Sequence, residues 1–209
     1  MAPIDTSAPK NRLILPQVQV LREILDRKAV ATVVQPEELK DALDMLKNPP
    51  RLVITDSQAI FQVNQIVPEN IELTTFSILF ARFKGDLKIL SENAKVIDKL
   101  VDGSRVLIAE ACSHHAQDDD IAKVKIPRLL SKYTGKALSF DFCTGCDFPE
   151  DLEKYDLVVH CGACMLNKTE MGRRLKECIR RGVPVTNYGV AISKAQGILD
   201  RVIKPFSGL

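Results

Sequence analysis

The segment "DLVVHCGAC", residues 156–164, joins an apolar run to a pair of cysteines and points to the fold. Its branched side chains predict a short buried strand over residues 156–160. A helical pattern begins near residue 168, so the cysteines fall in the loop between strand and helix. The same order of strand and helix is predicted around residues 105–111, 137–142 and 183–187. This alternation predicts a parallel sheet with right-handed crossovers.

The whole chain is predicted to be an α/β protein of two small domains, the second with a Rossmann-like parallel sheet. Strands are expected at residues 30–34 and 51–55, and "FSILFARF" is expected to be a helix. We place the first domain at residues 13–101 and the second at residues 102–209. Residues 1–12 are expected to be a linker because prolines flank small polar residues there, as in a fragment whose upstream domain is missing.

The composition excludes several classes of protein. Of the 209 residues 45% are hydrophobic, and 29 Lys and Arg nearly balance 27 Asp and Glu. This balance gives no electrostatic attraction to nucleic acid or to an anionic membrane. No apolar run approaches the roughly 18 residues of a membrane span, and the N-terminus lacks the apolar core of a signal peptide. We expect a cytoplasmic protein, in which six clustered cysteines favour metal binding or redox chemistry.

Five of the six cysteines follow predicted strands of the second domain. Ligands of open parallel sheets bind outside the carboxyl ends of the strands, so these thiols are expected to converge on one edge. Cys178 lies within a predicted helix and is expected to be a small buried apolar residue. The five converging cysteines are Cys112, Cys143, Cys146, Cys161 and Cys164.

Two motifs at this edge carry the chemistry. "CSHH" provides Cys112 and His114, and "HCGAC" provides His160, Cys161 and Cys164, with 45 residues between the two histidines. A C-x-x-C turn brings two thiolates to one side, and a third from another loop completes a three-point site. Three thiolates with a variable fourth position suit an iron–sulfur cluster with one open iron. They also suit zinc, and the C-x-x-C alone suits a thiol oxidoreductase.

Four segments together resemble HydF, the GTP-binding maturation scaffold of [FeFe]-hydrogenase. They are "RLILPQVQVLREILD", "IAEACSHH", "GCDFPEDL" and "DLVVHCGAC". The signature of that family is C-x-H, about fifty residues, then H-C-x-x-C, and this chain matches each position. No G-x-x-x-x-G-K-[ST] loop is present. The chain therefore resembles the dimerisation and cluster-binding domains without the GTPase domain, and is not expected to be an enzyme.

The resemblance implies a ligand set and a set of partners. Cys112, Cys161 and Cys164 would hold a [4Fe-4S] cluster whose fourth iron takes an exchangeable ligand. The protein would be a homodimer that receives a di-iron precursor, made with two radical-SAM maturases, and passes it to the apo-[FeFe]-hydrogenase. A zinc-binding structural module and a C-x-x-C thiol oxidoreductase are the alternative functions.

Five further residues at the same predicted edge have more than one possible role. His114, His160 and Glu110 are candidates either for direct ligation or for orienting the ligands through hydrogen bonds. "CTGC", with Cys143 and Cys146, is not part of the family signature. These two thiols are compatible with an alternative ligand, a second metal site, a disulfide or free loop thiols.

Overall fold

The computed structural model of the chain describes residues 1–4, 12–111, 121–145 and 148–207. It divides into two compact units. The first comprises Met1–Leu79 together with Ile198–Leu209, and the second comprises Phe80–Gly197. None of the described helices combines the length and apolar character needed to cross a membrane.

The first unit is built on short parallel strand pairs. Its strands pair β1 with β2 and β3 with β4. Hydrogen bonds from the Met1 amine to the Leu52 carbonyl and from Ile54 N–H to the Met1 carbonyl bring β1 beside β3. The elements in order are β1 (Ala2–Pro3), α1 (Leu15–Asp26), β2 (Val33–Val34), α2 (Leu39–Asp44), β3 (Leu52–Thr55), α3 (Ile60–Ile66) and β4 (Glu72–Thr75).

Two details of this unit differ from the sequence prediction. Ala2 and Pro3 are a buried strand, although the sequence assigned them to a linker whose residues 5–11 lie outside the described part. The strand predicted over residues 30–34 is reduced to Val33–Val34, and Val30 is 92% exposed. Both differences have one cause: β2 pairs with only two residues of β1, and this pairing between distant segments has no local signal in the sequence.

The second unit contains a four-stranded parallel sheet in the order β6-β5-β7-β8. This confirms the α/β fold class and the predicted parallel sheet. Helix α4 (Phe76–Lys84) follows β4 directly and enters this unit, which confirms the helical prediction for "FSILFARF". The other elements are α5 (Leu87–Asn93), β5 (Arg105–Ala109), α6 (Ile126–Thr134), β6 (Ser139–Cys143), β7 (Leu157–His160), α7 (Lys168–Arg180), β8 (Val185–Asn187) and α8 (Tyr188–Ala195).

One face of this sheet packs on α7. Leu107, Val158 and Val185 of the strands contact a cluster that includes Leu175 and Cys178 of α7. Cys178 is fully buried, as predicted for an apolar role. Burial of such branched side chains provides about 1.5–3 kcal/mol each. The core therefore fixes the carboxyl ends of β5 and β7 against α7.

The helical pattern of residues 191–204 forms two separate helices. Helix α8 ends at Ala195, Gly197 adopts a positive φ of 73°, and α9 (Leu199–Ile203) follows. Helix α9 belongs to the first unit, where the Arg201 guanidinium donates to the carbonyls of Val67 and Pro68 at 2.7 and 2.8 Å. The compact units thus divide at residues 79/80 and again at 197/198.

Candidate functional site

The candidate site lies at the carboxyl ends of β5 and β7. From β5 the chain crosses outward to β6 and then returns to β7 on the other side of β5. Connections that leave neighbouring strands in opposite directions open a crevice between them, where α/β sheets bind ligands. Residues 110–111 leave β5 there, and Cys161 follows the last residue of β7, His160.

Cys161 is held at this crevice by the backbone on both sides. Its own N–H donates to the Ala109 carbonyl at 2.8 Å, which prolongs the ladder between β5 and β7 by one bond. Its Sγ accepts the N–H groups of Ala111 at 3.1 Å and Ala163 at 3.4 Å. Two N–H donors favour the thiolate over the thiol, which suits a metal ligand.

The loop that contains Cys161 and Cys164 is closed by a buried lysine. The ammonium of Lys84, at the end of α4, donates to the carbonyls of Ala163 and Cys164 at 2.9 Å and of Leu166 at 2.7 Å. Lys84 is only 8% exposed. Burial lowers the pKa of Lys84, while the neighbouring thiols of Cys164 and Cys161 act in the opposite direction.

Ala163 has a strained backbone within this loop. Its φ is +53°, a left-handed conformation that costs a non-glycine residue about 1–2 kcal/mol. Its methyl group is buried in the same core cluster as Leu175, and its carbonyl accepts from Lys84. Packing and the lysine therefore stabilise a loop conformation that the isolated sequence would avoid.

His160 is fully enclosed and both of its ring nitrogens have partners. Nδ1 lies 2.9 Å from the Cys161 carbonyl, and Nε2 lies 3.1 Å from Nη1 of Arg174. A guanidinium only donates, so Nε2 accepts and the ring proton is on Nδ1, which donates to Cys161. The pKa of His160 is lowered to about 4, mainly by burial. The hydrogen bond to the Cys161 carbonyl raises the pKa, and the charge of Arg174 lowers it.

Arg174 of α7 connects "HCGAC", through His160, with "CTGC". Its side chain is 2% exposed and donates to the Gly145 carbonyl of "CTGC" at 2.6 Å and to Glu170 at 3.0 Å. It also stacks on Phe148, 5.1 Å from the ring centre. All three guanidinium nitrogens thus have acceptors, and Arg173 and Arg174 together lower the pKa of Glu170 to about 2.

The structure places some of the other predicted site residues. Glu110 is buried, and its N–H donates to the carbonyl of Cys143 at 2.9 Å, so these two lie on adjacent strand ends. Cys143, Cys161 and Cys164 are not in disulfides. Cys112, His114 and Cys146 lie outside the described residues. Among the described residues, no group of three His, Cys, Asp or Glu side chains is arranged to hold a metal.

The C-x-x-C is a loop and not the first turn of a helix. Helix α7 begins at Lys168, and its capping residue Asn167 accepts the Glu170 N–H at 2.8 Å. In a thiol oxidoreductase the reactive cysteine sits at the helix N-terminus, which lowers its pKa. The separation of Cys161 from the helix start makes that alternative less suitable.

Lys84 and Arg174 are site residues that the sequence did not predict. Lys84 lies 77 positions before Cys161, and Arg174 stands beside other basic residues on α7. Their burial distinguishes them from the other basic residues, and the sequence gives only a weak indication of it. A charged residue within an otherwise apolar helix face is the one signal available at each position.

Comparison with known families covers almost the whole chain. Residues 1–85 match the hydrogen maturase F dimerization domain, and residues 88–205 match the hydrogen maturase F tetramerization domain. No curated protein matches the chain significantly. The two family matches agree with the resemblance drawn from "CSHH" and "HCGAC". The chain therefore belongs to the hydrogen maturase F (HydF) family, of which it carries the dimerization and tetramerization domains.

Proposed function

We propose that this protein is a scaffold of [FeFe]-hydrogenase maturation that binds a [4Fe-4S] cluster through Cys112, Cys161 and Cys164. One observation supports this most directly. The Sγ of Cys161 accepts a hydrogen bond from Ala111 N–H at 3.1 Å, and Ala111 is the residue immediately before Cys112 in the chain. The residue that precedes the first half of the cysteine signature thus contacts a cysteine of the second half.

The chemistry of the described donors fits such a cluster. Cluster sulfurs and their cysteine ligands are stabilised by backbone N–H donors, and Cys161 has two of them. The thiolates would add negative charge to a partly buried loop, and the ammonium of Lys84 provides a positive charge beside it. Cys161 and Cys164 are both half-buried, so they remain accessible to an entering metal centre.

A [4Fe-4S] cluster held by three cysteines provides one iron with an exchangeable ligand, at which a di-iron cargo could be held and released. The residues of the chain would bind the cluster, orient its cysteine ligands and cover part of the site. Cys161 and Cys164 bind, and the β5–β7 ladder orients Cys161 through its N–H bond to Ala109. His160 and Phe148 enclose the inner side of the loop. Glu110 is a candidate for the exchangeable position or for hydrogen bonding near it.

In this proposal the chain carries cargo and is not itself an enzyme. Its partners would be the radical-SAM maturases that make the di-iron precursor and the apo-hydrogenase that receives it. The matched domains are described as dimerization and tetramerization domains, which supports self-association of this chain. A homodimer is the smallest assembly consistent with those descriptions.

Anaerobic reconstitution with iron and sulfide tests the proposal. We expect about four irons per chain, cluster absorbance, and an EPR signal on reduction. Replacement of Cys161 or Cys164 by alanine should abolish each of these, as should Cys112→Ala. A protein that takes up one zinc and no cluster would instead be a zinc module. Disulfide reductase activity that depends on Cys161 would favour the oxidoreductase.

A further inference from the structure

Lys84 has an arrangement that the cysteine signature does not explain. Its ammonium has three hydrogens, and three backbone carbonyls of the loop after β7 accept them at 2.7–2.9 Å. The residue is 8% exposed and also lies 5.0 Å from the ring centre of Phe80. We infer that Lys84 is a positioning residue that fixes the Cys161–Cys164 loop in the conformation that presents both thiols.

The three accepting carbonyls depend on this partner to different degrees. They belong to Ala163, Cys164 and Leu166, which lie in the turn between β7 and α7, where no neighbouring strand continues the ladder. The Ala163 carbonyl also accepts the Leu166 N–H at 3.1 Å, so loss of Lys84 would remove the donor chiefly from the carbonyls of Cys164 and Leu166. A buried carbonyl without a donor is costly, and two in one loop would favour opening of the loop to water. Lys84 satisfies all three from one side, and Ala163 keeps its positive φ beneath it.

The end of α4 is itself fixed in place. Gly85 follows Lys84, and a methyl group added there would lie 2.9 Å from the Ala81 carbonyl and 3.2 Å from Leu175 Cδ1. A side chain at this position would collide with the backbone of α4 and crowd Leu175 of α7, so glycine suits the end of α4 here. The position of the ammonium is therefore determined by backbone packing, and the loop follows the lysine.

Lys84 does not bind cargo in this arrangement. All three ammonium hydrogens are directed at loop carbonyls, so none remains for an entering ligand. Its action on a metal centre is indirect, through the geometry of the loop and through its charge. The part of the inference that concerns a cluster rests on the proposed function, whereas the effect on the loop does not.

The test compares four forms of the full chain. Lys84→Met keeps the length and removes both charge and donors, and Lys84→Gln restores two N–H donors without charge. Lys88→Met removes the same charge from an exposed lysine of α5 and is the matched control. Thermal unfolding monitored by circular dichroism verifies that each form is folded.

Hydrogen exchange of the metal-free protein is the first measurement. We expect amides of residues 161–166 to exchange at least about tenfold faster in Lys84→Met than in the unchanged protein, with partial recovery in Lys84→Gln. Lys88→Met should leave them unchanged. Equal exchange in Lys84→Met and the unchanged protein would overturn the inference whether or not a cluster binds. If Lys84→Met does not fold, Lys84→Gln alone decides, and unchanged exchange there has the same meaning.

Cluster retention is the second measurement. After reconstitution, we expect a chelator to remove iron about tenfold faster from Lys84→Met, and the EPR spectrum of the reduced cluster to change shape. A residue that only stabilises the fold would lower the unfolding temperature without changing that spectrum. If the unchanged protein binds no cluster, the proposed function fails, and hydrogen exchange still decides the role of Lys84.

Discussion

Arg174 and His160 form a buried pair in which Nη1 of the arginine lies 3.1 Å from Nε2 of the histidine. The pair fixes the tautomer of His160, since the arginine can only donate, and thereby directs Nδ1–H to the Cys161 carbonyl. A histidine adjacent to a cluster cysteine is an obvious candidate ligand. Both of its nitrogens already have partners within the protein, so we expect His160 to orient Cys161 and not to bind metal.

We therefore predict that His160 does not ligate iron. Nitrogen hyperfine couplings measured by pulsed EPR on the reconstituted, reduced protein should lack the strong coupling of a directly bound imidazole. His160→Asn should lower cluster stability but leave the nitrogen couplings unchanged. A strong coupling that disappears in His160→Asn would show that the ring leaves Arg174 when the cluster binds.

Replacement of Arg174 should destabilise the fold far more than replacement of its neighbour. Arg174→Met leaves the Gly145 carbonyl and the buried Nε2 of His160 without their donor, which costs about 1–3 kcal/mol each in free energy of unfolding. Glu170 keeps its two hydrogen bonds from Arg173. Arg173 pairs with the same glutamate but its side chain is 57% exposed, so Arg173→Met should cost below about 1 kcal/mol. Urea denaturation at neutral pH measures both, and equal losses would contradict the assigned role.

Glu170 should make the fold sensitive to acid. Its pKa is lowered to about 2 by Arg173 and Arg174, from an ordinary value of 4.5. A lowered carboxyl pKa stabilises the folded state above the ordinary value, and this contribution is lost as the pH falls from 4.5 toward 2. Glu170→Gln should therefore weaken the fold at pH 7 and flatten its decline below pH 4.5. Denaturation at several pH values tests this, with the exposed Glu92→Gln as control.

The cysteines should separate into two classes. Cys178 is fully buried, and burial raises the pKa of its thiol to about 12, so iodoacetamide at pH 8 should not label it in the folded protein. Cys161 and Cys164 are half-buried and should react. Mass spectrometry of digested protein measures each site.

Alanine substitutions should divide the cysteines in the same way. Cys178→Ala should cost about 1 kcal/mol in stability and retain the cluster. Cys161→Ala should lose the cluster with little change in the unfolding temperature of the metal-free protein. Full iron occupancy in Cys161→Ala would remove it from the ligand set.

The sequence predicted those parts of the fold that depend on local pattern. The strands at Leu52–Thr55, Arg105–Ala109 and Leu157–His160 have continuous apolar runs, and each forms where it was expected. Strand β1 was missed because two residues carry no periodicity. The break at Gly197 was missed because apolar spacing continues across it, and only its positive φ ends α8.

The thiols and the histidine of the site could be predicted, but their supports could not. The motif "HCGAC" can be recognised from its residue types and their spacing. A lysine or an arginine in a helix, such as Lys84 or Arg174, is too common to indicate a site. Their function follows from burial and from partners far away in the chain: 79 positions between Lys84 and Ala163, and 29 between Arg174 and Gly145. The roles of Cys112, His114 and Cys146, which lie outside the described residues, stay predictions.

The position of Lys84 has a consequence for chimeras made from two members of the family. Lys84 falls within the dimerization-domain match, residues 1–85, whereas the loop that it clamps falls within the tetramerization-domain match, residues 88–205. A chimera that joins two family members at residues 86–87 would take the lysine from one parent and the cysteine loop from the other. We expect a junction there to give a stable loop only when both parents have a lysine at position 84 and a loop of matching conformation. A junction before Phe80 transfers the lysine and the loop from the same parent.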